Sequence, residues 1–289
     1  MATRVVKGEL YDRLDGKLFE IKRQIRQPNG YGFDPEKLDK LLQQGIEGKF
    51  KAEAEDLPYA NERTPSNYGY PPEFRFRSPA EQLSFWQSHK LTKKLNDNHV
   101  AGLVKRIEDA GLASGAEAIG VWPKFSRLGG LYPVTKKIFA LLAGSRDFNN
   151  YRGDEIGKKE NWRHTVKTAG CFQWLDEYQP GDYFVVPFQF GRHCAGASVR
   201  YARVRLSEAE FGLCPYSGGC LLLTHPDRIT GDNQLYLDLG GCEWSPHADG
   251  GFCSSAFFCW SGGRLGFGSG NVGSAYAGYG LVSAFAPQC

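Results

Sequence analysis

The chain has 289 residues, room for one large domain or two ordinary ones. Hydrophobic residues make up 41% and aromatics 13%, so a sizeable core can form and global disorder is excluded. A formal net charge of +3 is too small to imply a nucleic-acid partner by itself, and no window supplies the roughly 20 consecutive apolar residues of a membrane-spanning helix. The charge is unevenly spread: residues 1–150 hold 24 Lys+Arg against 19 Asp+Glu, residues 151–289 hold 11 against 13, and all eight cysteines lie in the second part. The opening MATRVVKGEL has charges where a signal peptide needs an apolar run. Export through a secretory leader is therefore not expected, and a cytoplasmic or virion-associated place is.

In chain order, Leu10, Leu14, Leu18, Ile21 and Ile25 recur at three- and four-residue steps and predict an amphipathic helix. Asp34-Pro35 reads as a cap and first helical residue of a second helix that stops at Gly45. Residues 57–74 carry four prolines and no periodicity, which predicts a linker or an irregular extended arm. Ser78-Pro79-Ala80-Glu81 is a capping box with proline at the first helical position. Its helix carries Leu83, Phe85, Trp86, Leu91 and Leu95 and breaks at Asn96-Asp97-Asn98. Further helices are expected over His99–Ala110 and Val134–Leu142.

From about Cys171 the pattern changes to strands. They are expected over Asp182–Phe190, with Pro187 marking an edge or bulge, and over Ser198–Leu206, Cys220–Thr224 and Leu235–Leu239. Ala256–Trp260, Arg264–Phe267 and Gly280–Phe285 follow, separated by Gly-rich turns. No cysteine pair forms C-x-x-C, so a zinc site is not expected; free thiols in or near the core are, with disulfides the alternative that the charged opening weakens.

Motifs that could carry chemistry weigh little. Gly268-Ser269-Gly270-Asn271-Val272-Gly273 matches G-x-G-x-x-G, but too few residues follow for a dinucleotide-binding unit. His247 and Asp249 could share a metal only with further ligands that no spacing nominates. Arg192-His193-Cys194 puts a base beside a thiol, yet neighbours on a strand point to opposite faces. The basic residues Lys17, Lys22, Arg23 and Arg26 alternate with Asp12, Asp15 and Glu20, which suits a solvated helix face better than a nucleic-acid site. No cofactor, metal or nucleic acid is expected.

The most unusual stretch is Ser245–Pro287. It contains no Lys, Glu, Gln or Met, one Trp (Trp260), ten glycines, and only Asp249 and Arg264 as acidic or basic charges. Ser, Gly, Tyr and Asn among hydrophobic anchors are the residues of adaptable binding loops, although composition alone also allows a Gly-rich meander with no ligand. Here the sequence resembles the variable proteins of diversity-generating retroelements, in the archaeal-virus and candidate-phylum bacterial branch. The resemblance extends over Phe190-Gly191-Arg192-His193, Ala202-Arg203-Val204-Arg205 and Leu222-Leu223-Thr224-His225-Pro226-Asp227-Arg228. Ala248-Asp249-Gly250, Ser283-Ala284-Phe285-Ala286-Pro287-Gln288 and the opening LYDRLDGKLFEIKRQIRQ continue it.

That resemblance implies a C-type-lectin fold whose C-terminal surface an error-prone reverse transcriptase rewrites at adenines, a history that does not produce Trp, Lys, Glu, Gln or Met. No calcium is implied. The fold class expected is α+β, with a helical N-terminal region over 1–115 and a C-type-lectin-like ligand-binding domain over 116–289, its hypervariable segment at about 245–287. The function implied is binding of a protein or surface ligand through the C-terminal face, not catalysis. An oxidase resembling the formylglycine-generating enzyme, built on Cys253 and Cys259, and a structural virion or surface adhesin are the alternatives. Alternation over Ala256–Trp260 assigns Phe258 and Trp260 to the framework and turns Phe257 and Cys259 outward. The same logic exposes Arg264, Gly266 and Gly268; the turn residues Ser261, Gly262, Ser269 and Asn271 extend that face, and Ser274, Tyr276, Gly278 and Tyr279 continue it. The bland reading is that Phe257, Tyr276 and Tyr279 are core aromatics.

Overall fold

In the computed structural model, residues 57–245 and 251–286 are described, with Asp39, Lys40, Leu42 and Gln43. Those four are helical, inside the helix expected after Asp34-Pro35. The expected helix Leu10–Ile25 and its basic residues lie outside the described residues, as do His247 and Asp249. The chain divides into two compact units, Met1–Glu55 and Asp56–Cys289. The second is α+β and is described here.

Its helices begin where local chemistry tells them to. In α1 (Pro79–Gln87) the Ser78 hydroxyl accepts from the Glu81 N–H and the Glu81 carboxylate accepts from the Ser78 N–H at 2.8 Å. The helix α2 (Val100–Ala110) stops at Gly111, whose φ of 78° is costly for any residue with a Cβ. Next comes α3 (Leu131–Ser145), longer at both ends than the predicted Val134–Leu142.

Three expectations for the second part are corrected. Cys171 does not open a run of strands: it lies in α4 (Val166–Tyr178), capped by Thr165. Ser198–Leu206 is not a strand but contains α5 (Val199–Arg205), started by the Ser198 hydroxyl accepting from the Tyr201 N–H. Its buried residues Val199, Tyr201 and Ala202 follow a helical, not a two-residue, period. Cys220–Thr224 ends α6 (Pro215–Thr224), a helix buried on every side. A short apolar run cannot by itself distinguish a buried strand from a buried helix.

The strands form two sheets. One is antiparallel throughout, with β1 (Ala118–Pro123), β4 (Tyr183–Gln189), β10 (Ser283–Phe285) and β5 (Glu210–Gly212) in that spatial order. Pro187 is tolerated because β10 pairs β4 only at Phe188 and Gln189, leaving that side of Pro187 without a ladder partner. The other sheet runs β2 (Phe148–Asn150), β8 (Arg264–Asn271), β7 (Ser254–Ser261), β6 (Tyr236–Trp244) and β3 (Trp162–His164). The short β9 (Tyr279–Leu281) pairs parallel with β6. The strand expected over Gly280–Phe285 is thus two strands, one in each sheet. Val282 joins them, its N–H donating to the Asp238 backbone carbonyl and its own carbonyl accepting from the Leu213 N–H.

The core does not respect the boundary expected near residue 115. Trp86 of α1 is fully buried and donates its indole N–H to the Val121 carbonyl at 2.9 Å. The Gln82 amide bonds both the Ile119 carbonyl and the Val121 N–H. Residues 57–77 form the irregular arm, with bridges Arg63↔Ala197 and Gly69↔Gln234. Tyr70 and Phe74 of that arm cover the fully buried Arg228, whose guanidinium donates to the Leu235 and Phe190 carbonyls. Cys194, Cys214, Cys220, Cys242 and Cys259 are buried free thiols and Cys253 an exposed one, while Cys171 is disulfide-bonded, the alternative left open beside free thiols.

Candidate ligand-binding site

The larger sheet has two different faces. On one, Leu237 of β6 lies opposite Phe258 of β7, which lies opposite Phe267 of β8. Phe139 of α3 meets Phe258 and Phe267 there at 5.7 and 4.7 Å between ring centroids. Phe258 is fully buried and Trp260 half-buried against this core, the side assigned to them from alternation.

On the other face, Asp238, Phe257 and Gly268 stand in one row across β6, β7 and β8. This face is not open along its length, which corrects the expected exposure of three residues. Cys259, Gly266 and Gly268 are buried. The Phe257 ring lies over Gly268, where an added Cβ would come within 2.8 Å of the ring tip, and Tyr151 covers Gly266. Cys259 faces the Tyr279 hydroxyl, and burial raises its thiol pKa. Ser269 is corrected too: β8 continues to Asn271, so Ser269 shares register with Leu265 and Phe267, and its Oγ is buried with no hydrogen-bond partner.

The remaining candidates gather at two places. At the β7–β8 hairpin, Gly262 and Gly263 adopt φ of 60° and 81° and close a two-residue turn. Ser261 there meets the Tyr151 hydroxyl at 3.3 Å, and exposed Arg264 lies 4.0 Å from Asp147. Roughly 23 Å away along β8, by strand rise, is a cavity of about 500 Å³. Phe257, Ser269, Asn271, Ser274, Tyr276 and Tyr279, all candidates from the sequence, line it. Phe257 and Tyr279 meet edge to face at 5.5 Å, and the Tyr276 ring is 5.7 Å from that of Tyr279. Tyr276 is 60% exposed, so it stands at the mouth. Asn271 orders the loop by accepting the Gly273 N–H at 2.8 Å. Gly278 packs against Tyr68 and accepts the Tyr236 N–H.

Four further residues line it that the sequence does not nominate: Val199, Asp238, Ser255 and Gly270. Asp238 is 9% exposed, and burial pushes its carboxyl up to about 7, with the Arg203 charge opposing. Among the described residues its carboxylate has no hydrogen-bond or ion-pair partner. Arg203 is turned to the Gly240 and Cys242 carbonyls at 2.8 and 2.6 Å. The signal was present in LYLDL: alternation buries Leu237 and Leu239 and sets a lone carboxylate on the opposite face of a central strand.

Other candidate chemistry is not assembled. Cys253 and Cys259 are six residues apart along an extended segment, about 20 Å, and Cys259 is buried. Arg192–Cys194 is a 3₁₀ turn rather than a strand; Cys194 is buried, and its thiol is pushed up to about 12 by burial and by Glu210. Gly268–Gly273 ends β8 and enters a turn, with no helix to meet a pyrophosphate. Among the described residues no three His, Cys, Asp or Glu side chains converge as metal ligands. A second, apolar pocket of about 390 Å³ between α2, α4 and β4 contains none of the candidate residues. Compared with family models, curated proteins and solved structures, the chain matches none.

Proposed function

We propose that this chain is a ligand-binding protein of the retroelement-variable kind, presenting a diversified surface on a C-type-lectin-like scaffold, and that it is not an enzyme. The observation that carries the reading is the convergence of Phe257, Ser269, Asn271, Ser274, Tyr276 and Tyr279 around one cavity. These residues come from β7, β8, β9 and the loop before β9, and all are candidates that alternation and turn position nominate within Ser245–Pro287. A rigid two-sided sheet holding a polar and aromatic loop face is the arrangement that lets residues change without loss of the core. The ligand class is a protein or a cell-surface structure, reached through the C-terminal face, with no nucleic acid. The place of action is the cytoplasm or a virion. Among the described residues no helix is long and apolar enough to cross a membrane.

The oxidase alternative is disfavoured by the distance between Cys253 and Cys259. The deciding experiment is to sequence the DNA beside the gene. A near-copy of the bases encoding residues 245–287, differing at adenines and next to a reverse transcriptase gene, is the expected result. Absence of any such copy from the whole genome would overturn the retroelement reading.

A further inference from the structure

The cavity has a charged floor and an aromatic wall, and the two are held together by strand pairing. Asp238 sits on β6 directly opposite Phe257 on β7. Phe257 meets Tyr279, and Tyr279 meets Tyr276 at the mouth. Asp238 is nine-tenths buried, yet no donor reaches its carboxylate among the described residues. Donors around it are engaged elsewhere: the Ser255 hydroxyl donates to the Leu239 and Cys242 carbonyls, Arg203 to those of Gly240 and Cys242, and the Tyr279 hydroxyl bonds the Cys259 thiol. A largely desolvated carboxylate without a partner is costly; a neutral donor hydrogen-bonds it but, like an anionic or apolar guest, would leave its charge uncompensated. A cation would not, and aromatic rings beside it add attraction of the cation–π kind. The cavity, about 500 Å³, falls within the usual range for small-molecule sites.

We propose that this cavity takes an organic cation, the ammonium of a lysine or the guanidinium of an arginine presented by a protein ligand, with Asp238 as counter-ion and Phe257, Tyr276 and Tyr279 as the wall. The inference rests on the binding reading above and deepens it. Asp238 lies outside Ser245–Pro287, so the floor is constant while the wall residues belong to the changeable segment. A preference for cations would then be shared by variants that differ in everything else they recognise. The charged and titratable groups around Asp238 are Arg203 on α5, Cys194 on the 3₁₀ turn and Tyr279 on β9. Burial holds the Cys194 thiol and the Tyr279 phenol neutral well above pH 8 and Arg203 stays charged, so of these groups Asp238 alone titrates between pH 6 and 8.

The test uses the full chain with n-butylguanidinium, n-butylammonium and the neutral n-butylurea, followed by calorimetry and ligand-observed NMR. Both cations are expected to bind, more tightly at pH 8 than at pH 6. Asp238→Asn should weaken them at least tenfold and abolish the pH trend; Tyr276→Ala should weaken them several-fold, and the urea should not compete. Circular dichroism checks that each variant is folded. Equal cation affinity in Asp238→Asn, or equal binding of the urea, overturns the proposal. Panning a displayed random-peptide library against the same chain separates this inference from the reading beneath it. Peptides rich in Lys or Arg that lose binding in both Asp238→Asn and Tyr276→Ala support both. Peptides lost in Tyr276→Ala but indifferent to Asp238→Asn sink the cation inference and leave the binding face standing. Peptides indifferent to both variants count against the face itself, and the inference falls with it.

Discussion

Phe257 and Phe258 are neighbours in sequence and opposites in environment. Phe258 is fully buried among Phe139 and Phe267, so Phe258→Ala is expected to cost about 3–5 kcal/mol. Tyr276, at 60% exposure, should tolerate alanine within about 0.5 kcal/mol. A thermal melting series over Phe258, Trp260, Phe257 and Tyr276 reads the difference directly. A Tyr276→Ala variant that unfolds the unit would return that ring to the core. Asp238 has an opposite kind of signature, visible in pH. Its folded pKa, about 7, lies above the unfolded value near 3.9, so the native state holds the extra proton between those limits. Its contribution therefore becomes less favourable as pH rises from about 4 to 7 and then levels off. Asp238→Asn should be more stable than the parent at pH 8 by about 2–4 kcal/mol, and the advantage should shrink toward pH 4. Urea midpoints at several pH values test this, and a gap independent of pH would refute it.

At the scale of elements, capping and contact outrank apolar patterning. The Ser78 box, Thr165 and Ser198 each start a helix by the same mechanism, a side-chain oxygen accepting an N–H left over in the first turn. Only the first of these was read from the sequence, because its proline and glutamate complete a pattern. Ser198 has no such companions, and alternating arginines resemble a strand. What then fastens α1 to the smaller sheet is Gln82, whose amide satisfies the backbone of Ile119 and Val121 and also the Arg77 carbonyl. Gln82→Ala leaves buried backbone groups without partners and is expected to cost about 2–4 kcal/mol. Hydrogen exchange should then rise in α1 and β1 before the larger sheet. Protection unchanged in β1 would show that the amide bridge does not hold the strand. At Gly191 the backbone is both left-handed, φ +98°, and pressed on Gly280, where a Cβ would lie 2.5 Å from the carbonyl oxygen. That approach brings the turn after β4 onto β9, and with it Tyr279.

At the scale of the molecule, the main core of the second unit runs from α1 to β10, with Trp86, Trp122, Trp162 and Trp244 all fully buried, and a smaller apolar cluster holds Val199, Tyr201 and Leu281. A fragment of residues 56–289 should fold cooperatively, whereas 116–289 should not, since it loses Trp86 and uncovers Val121. Near-ultraviolet dichroism and a single melting transition distinguish them, and a folded 116–289 fragment would support the compositional boundary instead. Acid should also unfold this unit early. Burial pushes His164 and His225 down to about 4, and the His225 Nε2 accepts the Arg77 N–H, a bond that protonation removes. The stability they contribute is present above about pH 6.5, the unfolded value, and is lost as pH falls toward 4. Replacing both with glutamine should flatten the fall in urea midpoint over that interval.

By itself the sequence determined what is local. The α1 cap, the stop at Gly111, the glycine turn between β7 and β8, and the sides taken by Phe258 and Phe257 depend on residues within a few positions of one another. It also marked Ser245–Pro287 as unlike the rest, because composition needs no fold to be read. Tertiary structure decided whatever depends on a distant partner. The run Cys220–Thr224 is a helix because α3 and both sheets surround it, and an apolar run surrounded on all sides carries no period to read. Gly268 is buried by Phe257 from the paired strand, and Cys259 and Gly266 because Tyr279 and Tyr151 arrive over them from elsewhere in the chain. The pairing of Asp238 with Phe257 joins a strand outside the unusual segment to one inside it. Alternation tells which way a side chain points, but only the packed sheet determines whether it meets water, a helix or a cavity.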